Sequence, residues 1–144
     1  MSKDITQPET RAAAFQKVRE SQSSALFEDY VELIDDLVRS TGEARQVDIA
    51  ANLGVTQPTV ARALDRLAEA GLVERKPYRG VFLSAKGEEL AASGRRRHAI
   101  VEAFLIDIGV DAETARIDAE GIEHYVSDET LAAFAAYSAG KGKR

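Results

Sequence analysis

The chain has 144 residues, 44% of them hydrophobic and 30% charged, a composition typical of an ordinary soluble globular protein. It contains no cysteine, which excludes disulfides and thiolate zinc sites, so any bound metal must be held by oxygen and nitrogen. No long apolar run and no signal-peptide pattern occurs, and we therefore expect a cytoplasmic protein that contacts no membrane.

The net charge of −5 is unevenly distributed along the sequence. Residues 1–55 carry 6 basic and 10 acidic side chains, residues 56–97 carry 9 and 5, and residues 98–144 carry 4 and 9. Because phosphate binding depends on the local patch and not on the total charge, the basic middle segment is a candidate nucleic-acid contact. The acidic flanks would repel DNA or attract cations.

Hydrophobic periodicity predicts that the chain begins with helix after a short disordered segment at residues 1–9. From about Thr10, apolar residues recur mainly at spacings of three and four, and Gly42 ends the pattern. A polar stretch at residues 21–24 is a candidate break that would divide this segment into two helices.

Residues 46–84 have the pattern of a winged helix-turn-helix. A short helix at about residues 46–53 stops at Gly54. A second helix follows the N-cap Thr56, has Pro58 in its first turn, and runs to about residue 70. Two short β-type runs, at 72–75 and 81–83, flank a basic, turn-rich loop and predict a hairpin wing. We therefore predict a winged helix-turn-helix DNA-binding domain over residues 10–84.

The exposed N-terminal face of the second helix is the predicted DNA-reading surface. Gln and Arg can make bidentate contacts to base edges, the Thr methyl can touch thymine, and basic residues of the helix and wing suit phosphates. The predicted DNA-binding residues are Thr56, Gln57, Pro58, Thr59, Arg62, Arg66, Lys76 and Arg79, with Arg75 as a further phosphate candidate. The alternative is a helical pair with a solvated basic loop and no ligand.

Three further helices are predicted after the wing, at about residues 86–108, 112–125 and 128–138, followed by a flexible tail at 139–144. They form a second, helical domain over residues 85–138, which makes the chain mainly α-helical. The apolar side chains of these helices have two interpretations, a dimer interface or simply the core of the monomer. They are Ile100, Val101, Phe104, Leu105, Ile108, Leu131, Phe134 and Tyr137.

The segment at residues 120–124 places Glu120, Glu123 and His124 on one face of a helix, because offsets of three and four share a face. Two carboxylates and an imidazole converging there would repel one another and lose hydration if no counter-ion were present. A divalent cation would relieve both problems, so this cluster predicts a metal site.

Two other helices carry pairs that could join this cluster, namely His98 with Glu102 and Asp29 with Glu32. Carboxylates with few imidazoles and no sulfur suit Mn²⁺, and Fe²⁺ fits the same donors, whereas Zn²⁺ usually takes fewer ligands and more nitrogen or sulfur. The alternatives are a solvated face for Asp29 and Glu32, a core or surface position for His98, and a simple hydrogen bond between Glu102 and His98.

Over about residues 25–135 the chain resembles the manganese-responsive repressors of the diphtheria toxin repressor family. The resemblance rests on EDYVE at 28–32, GVTQPTV at 54–60, YRGVFLS at 78–84, RH at 97–98 and DAEGIEH at 118–124. It implies that residues 85–138 form a metal-binding and dimerisation domain, that no SH3-like domain follows, and that a homodimer binds double-stranded DNA at a palindromic operator.

The resemblance also implies a site for two Mn²⁺ ions in each protomer. Its ligands would be Asp29, Glu32, His98, Glu120, Glu123 and His124, and Glu102 stands where some relatives have an ancillary acidic ligand. Iron-responsive relatives carry Met and Cys where this chain has Asp29 and Glu120, so the two carboxylates favour manganese. Tyr125 departs from the family pattern, because manganese-type members often have a second His there.

The expected function is that of a manganese-dependent repressor of metal-ion homeostasis, with a manganese uptake gene as its expected target. Metal binding would lock the dimer in an operator-binding geometry. We expect no enzymatic activity and no small organic substrate. One alternative is a small hydrolase that uses two metals, although neither a general base nor a substrate pocket is indicated. The other is a winged-helix interaction module that binds no metal.

Overall fold

The computed structural model describes residues 6–141, which contain helices and one two-stranded hairpin. The elements are α1 (Pro8–Thr41), α2 (Gln46–Leu53), α3 (Gln57–Glu69), β1 (Val73–Lys76), β2 (Gly80–Leu83), α4 (Ala85–Asp107), α5 (Ala112–Ile122) and α6 (Asp128–Lys141). They divide into two compact units, one of residues 27–96 and the other of the described residues before 27 and after 96. None of the helices in this range combines the length and hydrophobicity that a membrane span requires.

Helix α1 is a single helix of 34 residues, so the break predicted at residues 21–24 is wrong. That stretch contains neither glycine nor proline, and a serine in a helix costs only about 0.5 kcal/mol relative to alanine. The helix begins at Pro8, which is favoured in a first turn because it lacks an N–H. The segment predicted to be disordered therefore overlaps the helix at residues 8–9, and its residues 1–5 lie outside the described range.

The unit of residues 27–96 has one hydrophobic core, to which every element of the winged helix contributes. Its most deeply buried side chains are Tyr30, Val31 and Ile34 of α1, Ile49 of α2, Val60, Leu64 and Leu67 of α3, Val73 and Val81 of the hairpin, and Ala91 of α4. Complete burial of one large aliphatic side chain contributes about 1.5–3 kcal/mol. The core therefore fixes the orientation of α3 within this unit.

The turn between α2 and α3 is built as the sequence predicts. Gly54 ends α2 in the left-handed conformation, with φ 68°, and its N–H donates to the carbonyl of Ala50. Thr56 caps α3, since its Oγ1 accepts from the N–H of Thr59 at 3.3 Å. These two residues confirm the predicted end of α2 and start of α3.

Strands β1 and β2 form the predicted antiparallel hairpin, in the register Val73 with Leu83 and Lys76 with Gly80. The end of β2 at Leu83 agrees with the prediction, and the other three strand boundaries differ from it by one residue. The N–H of Val81 donates to the carbonyl of Ala44 at 2.8 Å, so the wing is tied to the segment before α2. Gly80 lies against Ala44, where a Cβ would collide with the carbonyl.

The second unit packs the C-terminal part of α4 against α5 and α6. Val101, Ala119 and Leu131 form its buried centre. Phe104 stacks on Phe134 with 3.9 Å between ring centroids. Several of the residues considered for a dimer interface therefore belong to the core of this unit, namely Ile100, Val101, Leu105, Leu131 and Phe134.

Helix α6 continues to Lys141, so the tail predicted to be flexible is helical at residues 139–141. Gly140 costs a helix only about 1 kcal/mol relative to alanine, which does not end it at this position. Residues 142–144 lie outside the described range.

Candidate metal centre and DNA-binding surface

The C-terminal end of α5 is not the regular helix to residue 125 that the sequence predicts. Helix α5 ends at Ile122, with Glu123 as its C-cap. The N–H of His124 donates to the carbonyl of Gly121 at 3.3 Å, which is the three-residue spacing of a tighter turn. Glu120 therefore stands on the helix, whereas Glu123 and His124 stand on the turn that follows it.

His98, Glu120 and Glu123 bring their donor atoms within 4.8 Å of one another. Nδ1 of His98 lies 3.3 Å from Oε1 of Glu120 and 3.9 Å from Oε1 of Glu123. The Glu123 side chain is 1% exposed, so its carboxylate lies in the interior of the unit. Nδ1 of His98 is also buried and makes no hydrogen bond to any of the residues that the structure describes. A buried imidazole nitrogen that faces carboxylate oxygens suits a bound cation.

His124 extends this group on the side of the turn. Its Nε2 lies 3.6 Å from Oε1 of Glu123, and its side chain is 6% exposed. We call His98, Glu120, Glu123 and His124 the carboxylate–histidine cluster. Its donors are oxygen and nitrogen without sulfur, a set that fits Mn²⁺ and Fe²⁺. The structure thus brings together four of the predicted ligands.

Glu102 faces the opposite edge of the His98 ring. Its Oε2 lies 2.8 Å from Nε2 of His98, and the two residues are one turn apart on α4. A carboxylate at Nε2 favours the tautomer that carries its proton there, which leaves the Nδ1 lone pair free for a cation. Glu102 and Glu120 therefore lie on different nitrogens of one imidazole.

Arg97 binds the turn that carries Glu123, a role that sequence reasoning did not find. Its Nε and Nη2 donate to the carbonyl of Glu123 at 3.1 and 2.6 Å, and Nη2 also donates to the carbonyl of Val126 at 3.1 Å. The sequence contains Arg97 only as the neighbour of His98. Because the acceptors are main-chain carbonyls, no side-chain pattern could have indicated this contact.

Asp29 and Glu32, the other two predicted ligands, lie on α1 in the unit of residues 27–96. Asp29 is exposed and Glu32 is half-buried. The Glu32 carboxylate lies against Gly94 of α4, where a Cβ would collide with it. His98 follows Gly94 by one turn along the same helix. Both residues remain predicted ligands.

The predicted DNA-reading residues lie at the N-terminal end of α3. Gln57, Pro58 and Arg62 are exposed, and Thr59 is half-buried. The hydroxyls of Thr56 and Thr59 lie 2.9 Å apart, and Nη2 of Arg62 lies 3.5 Å from Oγ1 of Thr59. The Thr56 hydroxyl therefore serves the helix cap, which leaves Gln57 and Arg62 as the side chains best able to reach base edges.

Arg75, which the sequence offered as a candidate contact to DNA phosphates, forms its polar contacts with other residues of the protein. Its Nη1 lies 2.7 Å from Oδ1 of Asp65, and its Nη2 donates to the carbonyl of Ala61 at 3.0 Å. Both acceptors belong to α3. Arg75 therefore attaches the wing to the proposed reading helix.

Lys76, Tyr78 and Arg79 form the exposed tip of the wing. Tyr78 is 98% exposed and has φ 65°, a left-handed conformation that non-glycine residues seldom adopt. Nζ of Lys76 lies 4.8 Å from the centroid of the Phe82 ring. On α3, the guanidinium carbon of Arg66 lies 5.6 Å from the centroid of the Phe27 ring, and Arg66 is exposed. The tip thus presents two cations and one aromatic side chain.

Two family models match consecutive parts of this chain. "Iron dependent repressor, N-terminal DNA binding domain" matches residues 23–81, and "Iron dependent repressor, metal binding and dimerisation domain" matches residues 84–139. The first match covers the winged helix as far as Val81 in β2, and the second contains the carboxylate–histidine cluster.

Curated relatives match most of this chain. The Transcriptional regulator MntR of Escherichia coli O157:H7 is 55% identical over 146 residues, which covers 99% of this chain and 94% of that protein. The HTH-type transcriptional regulator MntR of Lysinibacillus sphaericus is 41% identical over 100 residues, covering 69% of this chain and 72% of the relative. These relatives are transcriptional regulators, so the chain is a regulator and not the hydrolase considered from its sequence.

Solved structures are similar to this chain as well. "Manganese-dependent transcriptional repressor complex with manganese" has a TM-score of 0.70 at 30% identity and covers 78% of this chain. "Structure of the manganese regulator SloR" has a TM-score of 0.67 at 29% identity and covers 77%. The chain spans about half the length of each, 52%. Together with the family models and the curated relatives, these findings show that this chain belongs to the iron-dependent repressor family, the family of the diphtheria toxin repressor.

Proposed function

We propose that this chain is a manganese-dependent, DNA-binding transcriptional repressor of metal-ion homeostasis. The observation that carries the proposal is the carboxylate–histidine cluster, whose donors His98, Glu120 and Glu123 lie within 4.8 Å of one another in the domain matched to metal binding. The relatives named MntR and the manganese-dependent repressor structure support Mn²⁺ as the effector. Since such a regulator acts on chromosomal DNA, we place it in the cytoplasm.

The proposed ligands include all four residues of the carboxylate–histidine cluster. Asp29 and Glu32 would complete a site for two Mn²⁺ ions in each protomer, and the contact of Glu32 with α4 at Gly94 supports this assignment. We assign Glu102 to orienting His98, because it lies on the nitrogen opposite the cluster. When bound, Mn²⁺ would neutralise the acidic side chains that otherwise repel one another.

Manganese is favoured over softer metals by the composition of this donor set. Carboxylate oxygens and imidazole nitrogens suit Mn²⁺, and the chain has no cysteine to offer a thiolate. Fe²⁺ fits the same donors and is the second candidate effector.

The proposed DNA contacts divide between base edges and phosphates. Gln57 and Arg62 would read bases from α3 in the major groove, with Pro58 and Thr59 beside them. Arg66, Lys76 and Arg79 would contact phosphates, and Tyr78 is a further candidate at the tip of the wing. Thr56 would act mainly by capping α3, which holds the reading face in register.

Metal would control DNA binding by locking the homodimer in a geometry that fits a palindromic operator. Asp29 and Glu32 lie in the part of the chain matched to DNA binding, whereas Glu120, Glu123 and His124 lie in the part matched to metal binding and dimerisation. Mn²⁺ bound by these ligands would restrict the two reading helices to the spacing of the operator. Metal can shift this equilibrium only by its differential affinity for the DNA-competent state.

Selection of operator DNA in the presence of metal tests this proposal. Purified protein would select sequences from a library of randomised duplexes, once with Mn²⁺ and once with a chelator. We expect a palindromic sequence to emerge only with Mn²⁺, and we expect it to occur upstream of a manganese uptake gene. Anisotropy titrations of that duplex against Mn²⁺, Fe²⁺ and Zn²⁺ would then rank the effectors. Equal DNA affinity with and without chelator would reject metal control.

A double variant separates the metal response from folding. Glu123→Ala combined with His124→Ala removes two cluster residues and leaves the winged helix unchanged. We expect this variant to keep its helical circular dichroism and to lose Mn²⁺-dependent DNA binding. Calorimetry that detects no Mn²⁺ binding to the unaltered protein would instead favour a winged-helix module without metal.

A further inference from the structure

We propose that Arg97 is a positioning residue that sets the affinity for Mn²⁺ by holding the turn after α5 in its ligand-presenting conformation. The proposal rests on the metal site proposed above and extends it to a residue outside the ligand set. Arg97 immediately precedes His98 on α4, so one helix supplies both a proposed ligand and the anchor for two others.

The Arg97 guanidinium binds two main-chain carbonyls of the turn. Nε and Nη2 donate to Glu123 at 3.1 and 2.6 Å, and Nη2 donates to Val126 at 3.1 Å. Nη1 lies 3.9 Å from Oδ1 of Asp128 at the start of α6. The Arg97 side chain is 24% exposed, so most of it is shielded from water. These bonds span the whole connection between α5 and α6.

The turn needs such a partner because of where α5 ends. The last carbonyl groups of a helix find no N–H donor within the helix, and a basic side chain near the helix end can donate to them. Here Glu123 is the C-cap of α5, and the donor comes from another helix. A planar guanidinium can donate to two carbonyls at once, whereas a lysine ammonium acts as a point charge.

The bonded carbonyl belongs to a residue whose side chain faces the proposed metal site. Glu123 is 1% exposed, and its Oε1 lies 3.9 Å from Nδ1 of His98 and 3.6 Å from Nε2 of His124. Metal sites require ligands held within about 0.5 Å of the productive geometry. If the main chain of Glu123 were released, the side chains of Glu123 and His124 would no longer be held in one position for metal binding.

The sign of the effect separates positioning from simple electrostatics. Arg97 is a cation adjacent in sequence to a proposed ligand, so removal of its charge would by itself strengthen the binding of another cation. Positioning predicts the opposite result, namely weaker binding when Arg97 is replaced by a neutral residue.

The experiment compares Arg97→Gln and Arg97→Lys with Arg96→Gln in the 144-residue chain. Arg96 is exposed and one residue away on α4, so its variant removes the same charge without touching the turn. Mn²⁺ affinity is measured by calorimetry, and the geometry of the bound ion by the electron paramagnetic resonance spectrum of Mn²⁺. Urea unfolding of the metal-free proteins reports any general loss of stability.

We expect Arg97→Gln to weaken Mn²⁺ binding about 10-fold or more, the usual effect of losing a residue that orients ligands, and to alter the spectrum. Arg97→Lys should be intermediate, and Arg96→Gln should bind like the unaltered protein or slightly more tightly. If Arg97→Gln does not fold, the charge-conserving Arg97→Lys decides by the same two measurements.

Unchanged Mn²⁺ affinity and spectrum in the folded Arg97 variants would overturn the inference and leave the proposed function intact. An equal loss of affinity in Arg96→Gln would also overturn it, because the loss would then not depend on the contacts between Arg97 and the turn. If the unaltered protein binds no Mn²⁺, the proposed function and this inference both fail.

Discussion

Glu102 and His98 form a pair on α4, with Oε2 of Glu102 2.8 Å from Nε2 of His98. The contact uses one ring nitrogen and leaves the other, Nδ1, buried and directed at Glu120 and Glu123. Glu102 is therefore placed to orient the imidazole, whereas Glu120 and Glu123 are placed to share a metal with it. Each of these roles predicts a different response to mutation.

Replacement of Glu102 tests whether it orients His98 or binds metal itself. Glu102→Ala removes the acceptor at Nε2 and should weaken Mn²⁺ binding about 10-fold, with the number of ions bound unchanged. Glu102→Gln keeps a carbonyl oxygen that can accept from Nε2 and should retain most of the affinity. Calorimetry measures both the Mn²⁺ affinity and the number of ions bound. A drop in stoichiometry in either variant would instead identify Glu102 as a ligand.

Mn²⁺ should stabilise the folded chain, and Glu123 should be needed for that effect. A ligand present at 100 times its dissociation constant adds about 2.7 kcal/mol to the free energy of unfolding. For a chain of this size we expect the thermal midpoint to rise by about 5–10 °C. Glu123→Gln replaces a buried carboxylate with a neutral amide and should abolish most of the rise, as measured by differential scanning calorimetry. A full shift in this variant would argue against Glu123 as a ligand.

Thr56 and Gln57 are neighbours with separable roles in the reading helix. Thr56→Ala removes the N-cap of α3 and should lower the free energy of unfolding by about 1 kcal/mol. Gln57→Ala changes an exposed side chain and should leave stability within about 0.5 kcal/mol while reducing discrimination among operator sequences by about 1–3 kcal/mol. Urea unfolding and anisotropy on matched and mismatched duplexes measure the two effects. Unchanged discrimination in Gln57→Ala would remove it from the reading surface.

Arg75 and Arg79 form a second matched pair on the wing. Arg79→Ala should weaken DNA binding about equally for all sequences and reduce the slope of log affinity against log salt by about one, because one phosphate contact is lost. Arg75→Ala breaks the contacts with Asp65 and Ala61 that attach the wing to α3. We expect it to act chiefly by lowering stability. An unchanged salt slope in Arg79→Ala would contradict the proposed phosphate contact.

The helical segments and the winged helix-turn-helix were predictable from local signals. Gly54 and Thr56 act on the main chain within a few residues, and the structure confirms both. The exact end of α5 was not predictable. The spacing of Glu120, Glu123 and His124 is compatible with a helix, but the chain enters a tight turn after Ile122, held by Arg97 from another helix.

Composition and short-range patterns by themselves determined the kind of donor atoms that the chain can offer to a metal, the order of the domains and the proposed reading face of α3. These features depend on residue chemistry and on helix periodicity, and both can be read from residues that are close together in the sequence. Only the tertiary structure decided that Glu102 and Glu120 contact different ring nitrogens of His98. It also decided that Arg75 binds α3 and that Arg97 binds the turn that carries Glu123. Such contacts join residues up to 29 positions apart, often through main-chain carbonyls, and packing between elements determines which of them meet.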